Sequence, residues 1–192
     1  MSDRKKILSL CDYTGTWCQP YRERESEYDV IQIDIKHGDD IRLFEYPGKC
    51  HGIIAQPPCT HFAGSGARWW DQKGEGAIIE GMQIVDACLR FVAACDPEWW
   101  VLENPVGRLY RWIGDHQGTF QPHEYAGYAD DPESEAYTKR TCLYGDFTWP
   151  EKKDVGNQLG SKMHAIPPGP DRAEKRSLTP QGFARAFFQA NR

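Results

Sequence analysis

The chain of 192 residues lacks several features that would assign it to particular classes of protein. It has no apolar run of the roughly eighteen residues that a membrane-spanning helix needs. Its charged start is followed by only a short apolar run, residues 7–10, so we expect no signal peptide. The seven cysteines include no C-x-x-C pair, which disfavours a structural zinc site. We therefore expect one domain over residues 1–192, no membrane partner, no metal, and reduced thiols in a cytoplasmic protein.

Positive charge is scarce overall and unevenly distributed. The net charge of −5 argues against an extensive duplex-binding surface. Residues 139–192 nevertheless carry ten basic and five acidic side chains. Two interpretations stay open: a basic edge that guides a polyanion, or solvated lysines scattered over a loop.

Strands that alternate with helical segments predict an α/β fold with a doubly wound sheet in a single domain. Short apolar runs predict the strands, at residues 6–11, 29–35, 51–55, 99–102 and 141–145. Apolar residues at helical spacing predict a long helix over 75–95 and a short one over 109–113. Thr179 as N-cap and Pro180 at the first position predict a C-terminal helix. Residues 148–176, rich in proline, glycine and lysine, are predicted to be irregular.

The segment from Gln56 to Gly66, which follows the third predicted strand, carries the strongest functional signal. Two consecutive prolines, Pro57 and Pro58, cannot continue a strand or a helix, so the backbone leaves the sheet just before Cys59. Glycines at 64 and 66 permit close approach to a ligand. A cysteine at the carboxyl edge of a sheet is placed as a nucleophile, whereas the alternative for Cys59 is an inert buried thiol.

A second motif, Trp-Trp-Val-Leu-Glu-Asn-Pro-Val over residues 99–106, is again an apolar strand that ends in polar residues and a proline. If its strand neighbours the one before Cys59, Glu103 and Cys59 lie in one site. The apolar residues before Glu103 favour burial of the carboxyl and hence a raised pKa. The alternative for Glu103 is an ion pair at the end of a strand.

Taken in order, Pro-Pro-Cys followed by Phe and Gly, then Glu-Asn-Pro, resembles the cytosine-C5 DNA methyltransferases that use S-adenosyl-L-methionine. The resemblance implies a Rossmann-like methyltransferase sheet. It also implies that Cys59 attacks C6 of a flipped cytosine, that Glu103 holds and protonates N3, and that Pro58 and Asn104 contact the substrate. These residue types suit the chemistry, because thiolate addition at C6 leaves an enamine with negative density on C5.

The same resemblance implies that the methyl donor binds at the ends of the first three strands. Asp34 matches the acidic residue that binds ribose hydroxyls in doubly wound folds, and Asp40-Ile41 resembles the motif that contacts adenine. The family's first motif, Phe-x-Gly-x-Gly, is matched well only at Gly15, since Tyr13 replaces phenylalanine and Trp17 stands where a glycine is expected. The predicted donor contacts are Asp12, Tyr13, Thr14, Gly15, Asp34, Ile35, Asp40, Ile41 and Pro57.

Two further departures concern the substrate. A later family motif is partly present before Gly145, where Arg140 matches an arginine predicted to be catalytic and Lys139 is predicted to contact the base. Only residues 148–176 occupy the place of the family's separate target-recognition domain. Side chains that could stack on or pair with a short or single-stranded substrate are Arg68, Trp69, Trp70, Trp149, Lys152 and Lys153. Trp69 and Trp70 fit a core position equally well.

Three functions stay open. The first is C5 methylation of cytosine in duplex or single-stranded DNA with low sequence specificity, alone or with a separate recognition partner. The second is the same chemistry on a free cytidine nucleotide, or with a modified S-adenosyl-L-methionine donor, which the acidic net charge and the missing domain favour. The third is a non-catalytic nucleic-acid-binding homologue, against which the presence of both Cys59 and Glu103 argues.

Overall fold

The polypeptide folds around one central sheet. The computed structural model describes residues 4–162, 166, 167, 169 and 172–192. In chain order its elements are β1 (Lys5–Leu10), α1 (Gln19–Arg22), β2 (Tyr28–Ile33), β3 (Gly52–Ala55), α2 (Trp70–Cys95), β4 (Trp99–Pro105), α3 (Tyr110–Ile113), β5 (Gly118–Phe120), β6 (Thr141–Asp146), α4 (Arg172–Ser177) and α5 (Gln181–Ala190). In this described part of the chain, no helix has the length and apolar character needed to cross a membrane.

The six strands are arranged in the order β2-β1-β3-β4-β6-β5. β1 to β4 are parallel to their neighbours, whereas β6 is antiparallel to β4 and β5 is antiparallel to β6. Parallel strands that are apolar on both faces require helices on both sides, as the sequence indicated. The predicted α/β fold in a single domain is confirmed, and the sheet is mixed. β5 was not predicted, because a strand of three residues leaves no periodic pattern.

Two cores lie on opposite faces of the sheet, because successive residues of a strand point to opposite sides. Ile53 packs into the core beneath α2, and Ile54 packs into the core beneath α1 and α5. The second core is aromatic: the fully buried ring of Trp17 meets those of Phe183 and Phe187 edge-on at 5.3 Å. Trp17, at the position where the resemblance led us to expect a glycine, thus fills the core beneath α1 and α5.

Several predicted boundaries shift for local reasons. β2 ends at Ile33, because the Asp34 carboxylate caps a short 3-10 helix by accepting a hydrogen bond from the backbone N–H of Lys36. β4 continues past the predicted end through Glu103, which pairs with Leu143 of β6. α2 begins at Trp70, but Gly74 interrupts its geometry with φ 65°, so the regular helix starts where it was predicted.

The C-terminal region differs from the prediction at two points. α5 begins at Gln181 with Pro180 in the cap position, and the Thr179 hydroxyl donates to Gln56 Oε1 at 3.0 Å instead of capping the helix. Residues 148–161 contain neither helix nor strand, as predicted, but Arg172–Ser177 form α4. Within the predicted loop 148–176, residues 163–165, 168, 170 and 171 lie outside the described residues.

Gly81 of α2 provides the space for Phe62, the buried residue that anchors the loop after β3. A Cβ at Gly81 would lie 2.7 Å from the end of the Phe62 ring. We expect Gly81→Ala to lower the free energy of unfolding by about 1–3 kcal/mol through overpacking. Gly76 of the same helix is exposed with open space around it, so Gly76→Ala should raise that free energy by about 0.5–1 kcal/mol. Urea unfolding measures both, and a shift of the same sign in the two variants would contradict this packing.

Candidate active site

The carboxyl ends of the four parallel strands meet at one edge of the sheet. Leu10 of β1 pairs with Ile33 and Ala55, and Ala55 pairs with Leu102 of β4. The segments that follow these residues leave the sheet at the same level. The structure therefore brings the predicted donor segments to the same edge as the loop that carries Cys59 and the strand end that carries Glu103.

Cys59 lies on a tight turn directly after β3. The backbone N–H groups of Phe62 and Ala63 both donate to the Cys59 carbonyl at 2.9 Å. Pro57 is buried and Pro58 is exposed, so the double proline carries the chain from the core to the surface. Cys59 is exposed, whereas the other six cysteines are buried or partly buried. Its exposure argues against the alternative of a buried core thiol.

Asn104 fastens the end of β4 to the cysteine loop. Its side-chain Nδ2 donates to the Pro57 carbonyl at 3.1 Å, and the residue is fully buried. Asn104 therefore uses Nδ2 for a contact within the protein, while its buried Oδ1 has no hydrogen-bond partner among the described residues, and its contact with substrate stays a prediction. Its function in this geometry is to hold the Cys59 loop against the strand that carries Glu103.

A second set of backbone contacts joins the loops that follow Cys59 and Glu103. Ala63 and Gly107 form an antiparallel bridge. On either side of it, the N–H of Gly64 donates to the Val106 carbonyl at 2.8 Å and the N–H of Arg108 donates to the Phe62 carbonyl at 2.9 Å. The two loops consequently form one rigid unit beside the strand ends.

Glu103, Cys59 and Lys139 lie within electrostatic range of one another. Burial raises the pKa of the Glu103 carboxyl, and the Lys139 charge opposes that rise. Partial desolvation of the thiol also raises the pKa of Cys59, although the residue is exposed at the surface, and the negative Glu103 adds to the rise. The cations Lys139 and Arg176 act in the other direction and lower the pKa of Cys59.

Lys139, rather than Arg140, faces this pair. Its Nζ donates to the Leu178 carbonyl at 2.9 Å, and burial lowers its pKa while Glu103 and Cys59 raise it. Arg140 is exposed and lowers the pKa of Cys142 instead. The structure thus directs the charge of the neighbouring Lys139 to Cys59 and Glu103, and the catalytic role of Arg140 stays a prediction.

Arg176 of α4 is a site residue that the sequence did not indicate. It is half-buried and lowers the pKa of Cys59, so α4 lies over the same edge of the sheet. A further contact of α4 agrees with this position: Glu174 pairs with Lys36 at 2.9 Å, two residues after Asp34. The segment carries no periodic apolar pattern, which is why its helix and its cation were missed.

Asp12 shapes the loop after β1 from the inside. Its buried carboxylate accepts hydrogen bonds from Ser9 Oγ at 2.7 Å and from the Gly15 N–H at 2.8 Å. Gly15 has φ 67°, a left-handed conformation that favours glycine. The Thr14 hydroxyl also donates to Asp12, at 3.4 Å. Tyr13 and Thr14 are exposed in this loop, and Tyr13 has 39% of its surface open to solvent.

Asp34 has hydrogen-bonding capacity left for a ligand, whereas Asp40 has little. Asp34 Oδ1 accepts from the Lys36 N–H at 2.8 Å, and its Oδ2 accepts no hydrogen bond from the described residues. The neighbouring Ile35 is exposed. The Asp40 carboxylate, in contrast, accepts hydrogen bonds from the Arg42 guanidinium, which lowers the pKa of Asp40 to about 2. Ile41 is buried in the core.

Two cavities adjoin the predicted donor segments. One of about 270 Å³ is lined by Thr14, Gly15 and Thr16 together with residues of α1 and the first part of α5. The other, of about 400 Å³, lies between residues 40–43 and α2. Each predicted donor segment after β1 and β2 therefore borders open space.

Comparison with known proteins gives a limited similarity. No protein-family model matches the chain. The chain is 28% identical over 122 residues to the type II methyltransferase M.SacI of Streptomyces achromogenes. The matched region covers 62% of this chain and 29% of that protein. A solved structure described as a candidate DNA modification methyltransferase encoded within a prophage of E. coli matches with a TM-score of 0.46 and 14% identity, over 74% of this chain and 46% of that one.

This chain thus spans less than half the length of either protein. The sequence similarity to M.SacI supports the methyltransferase resemblance that the motifs indicated. Neither name specifies the methylated atom or the methyl donor.

Removal of the Lys139 charge should make the Cys59 thiol less acidic. In Lys139→Met the buried Glu103 still raises the pKa of Cys59 while the main opposing cation is gone, so the thiolate forms only at higher pH. Alkylation of Cys59 by iodoacetamide, followed by peptide mass spectrometry from neutral to alkaline pH, measures the midpoint directly. Lys152 is paired with Glu124 at 2.6 Å, and Lys152→Met is the matched control that should leave the midpoint unchanged. An unshifted midpoint in Lys139→Met would contradict this electrostatic arrangement.

Proposed function

We propose that this chain transfers a methyl group from S-adenosyl-L-methionine to C5 of cytosine in DNA. The observation that supports the proposal best is the emergence of Cys59 and Glu103 at one edge of the sheet, from the neighbouring parallel strands β3 and β4. C5 methylation needs a thiolate that adds to the ring and an acid that stays protonated near neutral pH. The raised pKa of Glu103 suits the second requirement.

In the proposed reaction the Cys59 thiolate forms a bond to C6 while Glu103 gives its proton to N3. The electron pair of the C5–C6 double bond then becomes available at C5. The donor, when bound, supplies an electrophilic methyl group to that carbon. Afterwards the C5 proton leaves to a water-derived base, the sulfur of Cys59 departs as thiolate, and the proton on N3 returns to Glu103, which restores the aromatic ring.

The proposed reaction places two opposed electrostatic requirements on the site, a protonated Glu103 and a thiolate at Cys59. Burial favours the neutral form of Glu103, which keeps its proton at a pH where an ordinary carboxyl is ionised. The same environment disfavours the thiolate of Cys59. Lys139 and Arg176 lower the pKa of Cys59 and so offset part of the rise that burial and Glu103 cause.

The residues at the ends of β1 and β2 fit the proposed donor. The second carboxylate oxygen of Asp34 is available for ribose hydroxyls. The exposed ring of Tyr13 packs against His37 of the short 3-10 helix that Asp34 caps, with the two ring centroids 5.2 Å apart. The left-handed conformation of Gly15 lets the backbone of the loop border the 270 Å³ cavity. Asp12 contributes by keeping this loop folded rather than by direct contact.

A free cytidine nucleotide is the second candidate substrate. The net charge of −5 favours a small anion over a long polyanion. Two predicted phosphate contacts are also engaged within the protein, since Lys152 pairs with Glu124 and Lys153 lies 4.0 Å from the Tyr128 ring centroid. In this case the same three side chains, Cys59, Glu103 and Lys139, would perform the same chemistry.

Cys59→Ser should abolish methyl transfer while the donor still binds. A serine hydroxyl has nearly the shape of the thiol but is far less nucleophilic at neutral pH, so the fold is retained and the addition to C6 fails. Transfer of a labelled methyl group to cytosine-containing DNA and to free cytidine nucleotides measures both candidate substrates. Cys50→Ala, near the opposite edge of the sheet, is the control that should retain transfer. Undiminished turnover in Cys59→Ser would rule out the covalent mechanism.

Asp34→Ala should weaken S-adenosyl-L-methionine binding by about 1–3 kcal/mol, the cost of losing a charged acceptor for ligand hydroxyls. Isothermal titration calorimetry measures the affinity without any need for turnover. Asp29 lies near the amino end of β2, the strand that Asp34 follows, and pairs with Arg4 at 3.5 Å, so Asp29→Ala is the matched control. Equal affinities of the wild type and Asp34→Ala would place the ribose elsewhere.

A further inference from the structure

A group of tryptophan and arginine side chains lies on the segments that follow Cys59 and Glu103 in the chain. It is built from the segment that follows the cysteine loop and from the segment that follows β4. Its members, referred to below as the aromatic platform, are Arg68, Trp69, Trp70, Arg108, Arg111 and Trp112. The bridge between Ala63 and Gly107 joins the two segments, so the platform is fixed relative to both site residues.

Two of the three tryptophan rings in the platform are open to solvent, unlike those of the core. Trp69 is 46% exposed and Trp112 is 42% exposed. Arg68 lies over the Trp69 ring with its Cζ 5.1 Å from the centroid, and Arg108 lies over the Trp70 ring at 4.4 Å. An exposed tryptophan costs free energy in water and is typical of a surface that binds a ligand.

Hydrogen-bonding capacity in the platform is also unused. Arg108 is more than nine-tenths buried, and its Nε donates to the His61 carbonyl at 2.9 Å. Its Nη2 and the indole Nε1 of Trp70 have no partner among the described residues. Of the charges facing Arg108, Arg111 repels it and Asp71 attracts it. A buried guanidinium with an unpaired N–H is costly unless a ligand completes it.

We propose that the aromatic platform binds an unpaired nucleic-acid strand beside the target cytosine. This inference rests on the proposed function, since it names the form of substrate that the same site accepts. Exposed tryptophan rings can stack on the faces of unpaired bases, and the arginines can contact the adjoining phosphates. In a duplex these base faces are already stacked and cannot reach the rings.

The platform also supplies what the proposed reaction otherwise lacks. A nucleic-acid strand must be held while one of its bases enters the site. The free energy needed to expose that base is lowest when the strand is already single-stranded. Lys152 pairs with Glu124 and Lys153 lies over the Tyr128 ring, so these lysines cannot bind the strand without losing those contacts. Stacking requires little positive charge, which agrees with the acidic net charge of the chain.

Fluorescence anisotropy with a labelled, cytosine-containing single-stranded oligonucleotide tests the proposal. Trp69→Ala and Trp112→Ala should each weaken binding about 5- to 100-fold, the range expected for loss of one stacked base. Trp69→Phe keeps a ring and should recover most of the affinity, which a merely structural defect would not allow. Tyr46→Ala removes an equally exposed aromatic residue next to Pro47, whose carbonyl accepts from Lys6 at the opposite edge of the sheet, and should leave binding unchanged.

Absence of binding, or equal binding by the wild type and both alanine variants, would overturn the proposal. Tighter binding of a duplex of the same sequence would overturn it as well. A separate assay of methyl transfer distinguishes this failure from failure of the proposed function. If the wild type transfers methyl groups but the Trp69 and Trp112 variants bind the oligonucleotide as tightly as it does, only the platform proposal is rejected. If oligonucleotide binding depends on the two tryptophans but no methyl group is transferred to any cytosine substrate, only the proposed function is rejected.

Discussion

The parallel pairing of β3 with β4 is the constraint on which the site depends. It brings the chain out of both strands at one edge, so that Cys59 and Glu103, 44 positions apart in the sequence, become neighbours. The buried hydrogen bond from Asn104 to the Pro57 carbonyl then ties the two exits together. Backbone pairing alone would tolerate motion of the loops, whereas this side-chain contact and the Ala63–Gly107 bridge hold them in one arrangement.

Burial at this edge creates an electrostatic conflict that the cations reduce. A low-dielectric environment favours the neutral forms of both Glu103 and Cys59 and raises both pKa values. For Glu103 the neutral form is the useful one, and the fold loses stability as the pH rises through its folded-state pKa and the carboxyl ionises. For Cys59 the charged form is needed, and Lys139 and Arg176 supply the compensating charge.

Local signals in the sequence predicted the strands of the parallel sheet, the long helix, and the positions of Cys59 and Glu103, because apolar runs that end at prolines mark strand exits. They could not predict contacts made by distant packing. Arg176 reaches the site from a helix with no periodic pattern, and Lys139 rather than Arg140 faces Glu103 because of how the chain enters β6. The contact of Asn104 with the Pro57 carbonyl likewise joins segments that are distant in the sequence, so no local pattern reveals it.

The covalent bond between Cys59 and C6 of cytosine is the central claim, and a trapped adduct tests it most directly. Wild-type protein would be incubated with S-adenosyl-L-methionine and a single-stranded oligonucleotide containing 5-fluorocytosine, since fluorine at C5 cannot leave as a proton does. We predict a denaturation-resistant complex whose mass equals protein, oligonucleotide and one methyl group, with the link mapped to Cys59. Methylation of ordinary cytosine by the same preparation, with no adduct on 5-fluorocytosine, would contradict the account.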